Sequence, residues 1–214
     1  MTDRLSTVRS RSGRPSPVCG SVCAAWLALA FTACQAPVEM GPRNEVLGDF
    51  ERLALRQPAD IAVAPVRDQT GKDSVPRELV REAFSEVLVE RLYSPLASEY
   101  VDANWVEASF RGTPSPDGLL LVVIETFDPS GLYSSGRVRI GGEVVLFEGA
   151  DTTGVRLWSV VLDHVVDLSP GRRGPPAPSE TLIPTAVQRF ARAALEKLPE
   201  RSPISAHEAD SLPE

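Results

Sequence analysis

The chain has 214 residues, of which 43% are hydrophobic and 24% charged, proportions typical of a globular protein with one hydrophobic core. Its formal charge of −7 is unevenly distributed. Residues 1–33 contribute four arginines and one aspartate, a charge of +3, so the remainder of the chain is near −10. This acidity excludes nucleic acid as an expected partner, because phosphate binding requires clustered lysine and arginine. It also disfavours direct binding to anionic lipid, so membrane attachment would require a covalent anchor.

The amino-terminal segment has the order of features found in an export signal. A basic stretch is followed by residues 18–33 (VCGSVCAAWLALAFTA), which carry no charge. That length suits the apolar region of a signal peptide and is short of the about 20 residues that span a bilayer. Phe31-Thr32-Ala33-Cys34 is similar to the lipobox of bacterial lipoproteins, in which small residues precede a cysteine that receives a diacylglyceryl group. We therefore predict lipidation of Cys34; the alternatives are an ordinary signal with a chance cysteine and an uncleaved anchor.

The positions of the other cysteines fit this interpretation. Cys19 and Cys23 also lie before residue 35, so the body of the chain has no thiol for a disulfide, a nucleophile or a metal site. Gln35 follows the lipidated position, and by analogy with enteric bacteria this favours sorting to the outer membrane. We expect an envelope protein held by acylated Cys34 in the lipid bilayer, on the periplasmic face of the outer membrane.

The sequence divides into four predicted segments. Residues 1–33 form the signal peptide, 34–57 a tether with a short helix around 46–55, 58–198 the folded domain and 199–214 a disordered tail.

The domain is predicted from hydrophobic periodicity to be α+β. A mixed sheet of about four or five strands would have two main helices packed on one face. The clearest helix follows Pro76, is capped by Asp73 or Ser74, and places Arg81 on its polar face. In chain order the predicted elements are a strand at 61–66, that helix, an extended piece at 95–97 pairing with the first strand, a possible helix at 98–110, a central strand at 119–127, strands at 138–146 and 155–163, and a helix at 181–198.

Parts of this pattern resemble a known group. Residues 61–71 (IAVAPVRDQTG), the amphipathic helix, Tyr93 in its exit and the turn into Leu157-Trp158 are similar to the CsgG-like superfamily of envelope lipoproteins, which includes LpoB-like members. The resemblance covers roughly residues 58–198 and has no catalytic signature. It implies an α/β domain that binds other proteins or self-associates during envelope assembly.

Motifs for chemistry are few. His164 has Asp163 and Asp167 nearby, but alternate strand positions separate Asp163 from it across a sheet, so a surface histidine is the expected interpretation. Gly71-Lys72 lacks the flanking residues of a phosphate-binding loop. We therefore expect no enzyme activity, no cofactor and no metal.

Three residues are candidates for contact with a protein partner. Arg172 and Arg173 lie in a proline- and glycine-rich loop, where they suit an acidic partner, although a solvated pair is the simpler interpretation. Tyr133 is a candidate because aromatic side chains anchor interfaces.

The leading hypothesis is a membrane-anchored lipoprotein acting as a non-enzymatic adaptor or assembly factor in the bacterial envelope. One alternative is a periplasmic small-ligand binder or enzyme, which a pocket containing Asp68, Lys72 or His164 would favour. Another is an oligomeric ring or secretion subunit.

Overall fold

The computed structural model describes residues 44–169 and 179–201, all within one compact unit, Met40–Glu214. Residues 1–43, 170–178 and 202–214 lie outside the described residues, so the predicted signal peptide and most of the predicted tail are not placed. The elements in the described part are β1 (Asn44–Gly48), α1 (Phe50–Arg56), β2 (Asp60–Val63), β3 (Arg67–Asp68), α2 (Arg77–Glu90), β4 (Ser94–Pro95), α3 (Ser98–Ala103), β5 (Trp105–Val106), β6 (Ser109–Phe110), β7 (Gly118–Asp128), α4 (Leu132–Ser135), β8 (Arg137–Glu148), β9 (Arg156–Asp167) and α5 (Ser179–Leu195).

The main sheet is mixed and has seven strands in the described part, more than the four or five predicted. Its order is β1-β9-β8-β7-β2-β4, and β3 also pairs with β7. The long strands β7, β8 and β9 are antiparallel, whereas β2, β3 and β4 add parallel pairings. The two strands beyond the prediction are β1 and β3, which have five residues or fewer and little apolar periodicity. β4 corresponds to the extended piece predicted at 95–97, and it pairs with the first predicted strand, β2, as expected.

The two main helices cover one face of this sheet. α2 and α5 contact each other, and Phe84 meets Phe190 edge to face at 6.1 Å between ring centroids. The side chains beneath them come from alternate positions of β7, β8 and β9, where a period of two separates the two faces. The α+β class is thus confirmed, with the main core on the helical face.

In the described part of the chain, smaller elements cover the opposite face at the β2–β7 side. Val101 of α3 and Phe110 of β6 pack there against Leu119 and Leu121 of β7. The predicted helix over 98–110 is wrong after Ala103: β5 and β6 form a hairpin whose turn holds Glu107 at a φ of 57°. The apolar residues whose spacing predicted one helix over 98–110 therefore belong to two structures, the short helix α3 and the hairpin of β5 and β6.

Part of the segment predicted as a tether is folded. Residues 44–48 form the edge strand β1, and the short helix predicted around 46–55 begins only at Phe50 and ends at Arg56. Gly48 permits β1 to approach β9 closely at this end, because a Cβ atom there would lie 2.7 Å from the carbonyl oxygen of Leu157.

The predicted helix after Pro76 is confirmed over Arg77–Glu90, with two differences. No side chain caps it, so the predicted role of Asp73 or Ser74 is wrong. Arg81 is buried, although its position in the amphipathic pattern indicated the polar face.

Candidate interaction surfaces

The structure places one of the four residues that the sequence singled out. Tyr133 lies in α4, between β7 and β8, and 75% of its surface is exposed. This exposure is compatible with the contact role predicted for it. Cys34, Arg172 and Arg173 lie outside the described residues.

The face of β8 and β9 opposite the helices carries paired charges. Arg139 Nε lies 2.9 Å from Asp163 Oδ1, and Arg137 Nε lies 3.2 Å from Asp167 Oδ2. A third pair joins Arg156 of β9 to Glu143 of β8. The hydrogen bond from Arg139 holds the pKa of Asp163 below its usual value. The pKa of Asp167 falls to about 2, chiefly because the hydroxyl and backbone amide of Ser169 donate to its carboxylate, with Arg137 adding to the effect.

These pairs bear on the possibility of chemistry at His164. Asp163 lies on the ion-paired face of β9, while His164 is opposite Ile140 on the helical face. Asp68 instead accepts hydrogen bonds from Thr70, at 2.8 Å from the backbone nitrogen and 2.7 Å from the hydroxyl. The structure thus does not bring Asp163 and His164 together. Asp68, Lys72 and His164 do not line any of three prominent cavities formed by the described residues, at α1, beside Tyr93 and between α2 and α5.

A groove of about 300 Å³ lies between the amino-terminal halves of α2 and α5. Small or short side chains, Ala83 on α2 and Pro184 on α5, leave this space between the helices. Leu79 of α2 lies at the groove and is partly exposed. The groove therefore presents apolar surface with a polar rim.

The rim is acidic, a property that the sequence analysis did not single out. Glu78, Glu82, Glu86 and Glu90 recur every four residues and therefore line one side of α2. Glu86 accepts a hydrogen bond from Gln188 at 2.8 Å, and Glu90 pairs with Arg192 at 2.6 Å. Within the described residues no ion pair reaches Glu78 or Glu82. The four-residue spacing was the signal that would have revealed this stripe.

A second, smaller cavity lies between α1 and the carboxyl-terminal segment. It measures about 150 Å³ and is lined mainly by apolar groups, including Phe50, Leu53 and Tyr93. The Tyr93 hydroxyl donates to the carbonyl oxygen of Pro199 at 2.8 Å, and burial raises the pKa of this phenol. Tyr93 thus closes one side of the cavity and fixes the chain that follows α5.

Comparison with known proteins gives structural likenesses only. No family model and no curated protein matches the chain. A PelC dodecamer from Paraburkholderia phytofirmans is similar at 13% identity and a TM-score of 0.46, over 75% of this chain and 99% of that one. Lipoprotein GNA1162 from Neisseria meningitidis matches at 14% identity and a TM-score of 0.40, over 64% and 99%. The hypothetical protein CT253 from Chlamydia trachomatis matches at 13% and 0.39, over 65% and 93%. The CsgG-like or LpoB-like assignment remains a prediction.

Among the helices of the described residues, none combines the length and apolar character that a bilayer span requires.

Proposed function

We propose that this protein is a lipid-anchored, non-enzymatic adaptor or assembly factor of the bacterial envelope. The observation that carries the proposal is the lipobox-like Phe31–Cys34 at the end of an uncharged segment. The first strand begins at Asn44, ten residues after Cys34. A chain of that length spans at most about 36 Å, so an acyl group on Cys34 would keep the domain close to the bilayer. Gln35 favours the outer membrane, and export would place the domain on its periplasmic face.

The groove between α2 and α5 supports the adaptor part of the proposal. It offers Leu79 and Pro184 for apolar contact, and Glu82 at its rim has no ion pair among the described residues. A partner segment with both apolar and cationic side chains would complement this surface. The resemblance to CsgG-like and LpoB-like lipoproteins, which implies binding to other proteins, agrees with that interpretation.

The cavity beside Tyr93 is the observation that favours the alternative, a small-ligand binder. Its volume of about 150 Å³ is below the roughly 300–1,000 Å³ of pockets that enclose drug-sized ligands. It would hold only a small apolar group, and we therefore rank ligand binding second.

Replacement of Cys34 tests the anchor. In cells fed an alkyne analogue of palmitate, we expect the label in the wild-type protein and in Cys23→Ala, and none in Cys34→Ala. Cys23→Ala is the matched control because its thiol lies in the same apolar segment. Label retained by Cys34→Ala would contradict lipidation at this residue.

Site-specific photo-cross-linking tests the groove. A photoreactive amino acid at Leu79 should capture a recurrent envelope protein in cells, whereas the same group at Val89 should not. Val89 is a matched control because it is also exposed on α2 and does not line the groove. Adducts that are equal at the two positions would contradict docking in the groove, and adducts to this chain alone would favour the oligomeric alternative.

A further inference from the structure

Strand β1 leaves one edge of the main sheet unpaired in the described part of the chain. It pairs with β9 on one side and is the last strand of the sheet order. An unpaired edge offers a row of backbone donors and acceptors to another strand. The identity of the strand that fits this edge can be derived from its register.

The hydrogen bonds of β1 fix which backbone groups point outward. Asp49 N donates to Leu157 O at 3.0 Å, so Asp49 and Leu157 form a hydrogen-bonded pair of the antiparallel ladder. Such pairs alternate along a ladder, so Leu47 and Glu45 also direct their backbone groups toward β9. The N–H and C=O groups of Asn44, Val46 and Gly48 must then face away from β9.

Among the described residues, α1 leaves the outer edge of β1 free on the helical side. Arg52 and Arg56 of α1 both bind Glu148, with Arg52 Nη2 2.6 Å and Arg56 Nε 2.7 Å from its carboxylate oxygens. Glu148 belongs to β8, two strands inward from the edge, so α1 turns back across the sheet. The strand itself carries one charged residue, Glu45, and no proline or lysine of the kind that protects natural edges.

We propose that β1 pairs with β1 of a second copy of this chain, antiparallel and centred on Val46. In this register Val46 bonds with its counterpart, and Asn44 bonds with Gly48 of the second copy in both directions. Each of these pairs exchanges two hydrogen bonds, because all three residues have outward-facing backbone groups. The strand is therefore complementary to itself, which is the requirement for a closed two-fold dimer.

The side chains agree with this register. Val46 faces its counterpart on the helical side, and β-branched pairs stabilise antiparallel strands. On the other face Glu45 lies opposite Leu47 of the second copy, so the two carboxylates do not face each other directly. Leu47 is 48% exposed in the single chain, and Glu45 of the second copy would bury part of its side chain. The dimer needs neither the acyl anchor nor the groove, so it stands or falls separately from the proposed function.

Val46→Pro tests the pairing, with the full-length chain as the protein measured. The proline removes an N–H that points away from β9, so the ladder within the domain is kept while bonds to the second copy are lost. We expect sedimentation equilibrium to show a dimer for the wild-type chain and a dissociation constant raised about tenfold or more for Val46→Pro. Val46→Ala, which shortens the side chain but keeps the N–H, should stay closer to wild type. A wild-type monomer, or equal dissociation constants for the proline and alanine variants, would overturn the proposal.

Disulfide trapping gives a second measurement that does not depend on tolerance of proline. Facing residues of a hydrogen-bonded pair have Cα atoms about 5.5 Å apart, within the range that a disulfide bridges. Val46→Cys should therefore form a covalent dimer on mild oxidation, and should do so equally when Cys34 is alanine. Leu55→Cys, at a side chain that is 84% exposed on α1, should not. Equal dimer formation by the two cysteine variants, or none by Val46→Cys, would contradict pairing at β1.

Discussion

Arg81 brings a guanidinium into the interior where β2 loses its outer neighbour. Strand β4 pairs with β2 only as far as Ile61, so the carbonyl oxygen of Val63 has no strand to bond on that side. Arg81 Nε donates to this oxygen at 3.0 Å, and Nη1 pairs with Asp102 of α3 at 2.6 Å. The Arg81 side chain is 3% exposed and that of Asp102 52%, so solvent reaches one end of the pair. The Arg81 side chain thus supplies the hydrogen bond that a further strand would have given to Val63, and it links α2 to α3.

Replacing Arg81 by methionine should destabilise the domain by about 2 kcal/mol, because the Val63 carbonyl is then left buried without a donor. The measurement is the free energy of unfolding from urea titration. Arg77→Met, at an exposed position in the first turn of the same helix, should change that free energy by less than about 0.5 kcal/mol. Equal losses for the two variants would mean that the buried hydrogen bonds of Arg81 contribute nothing specific.

At the scale of elements, Asp167 at the end of β9 lies opposite the start of β8, and its carboxyl group has a lowered pKa in the folded protein. Ser169 and Arg137 bind Asp167 and lower its pKa from 3.8 to about 2. A carboxylate whose pKa is lower in the folded than in the unfolded state stabilises the fold above the unfolded pKa. That contribution is lost as the pH falls from about 4 to about 2.

We therefore expect the urea midpoint of the wild-type protein to fall between pH 6 and pH 3 by more than that of Asp167→Asn. Ser169→Ala, which removes the hydroxyl donor, should show an intermediate fall because the pKa of Asp167 rises toward its ordinary value. Ser134→Ala, an exposed serine outside this network, should match the wild type. An Asp167→Asn protein with an unchanged pH response would contradict a stabilising role for this carboxylate.

The elements that the sequence predicted well are those with strong local signals. The apolar run at 119–127 and the alternation at 138–146 correspond to β7 and β8, and the amphipathic spacing after Pro76 corresponds to α2. β1 is different, because its five residues become a strand only through pairing with β9 near the other end of the domain. The hairpin of β5 and β6 depends on Glu107 adopting a positive φ, which its residue type does not indicate.

At the scale of the whole molecule, a similar distinction holds for the candidate surfaces. Tyr133 is a candidate from the sequence because its residue type alone, an aromatic, is one that anchors interfaces. The groove was not identified from the sequence, because it is lined by Leu79 of α2 and Pro184 of α5, which are distant in sequence. The open edge of β1 was missed for the same reason: its hydrogen-bonding pattern exists only once β9 is in place.

If the chain is exported as the proposed lipoprotein, the pairing of β1 with β9 also sets the order in which the main sheet forms. β1 would then cross the membrane before every other strand of the main sheet, whereas its partner β9 would be the last of these strands to emerge. Until β9 has emerged, β1 would lack the strand with which it pairs. Lipid attachment and signal cleavage would therefore precede completion of the domain, and β1 would be the last strand of the main sheet to be added.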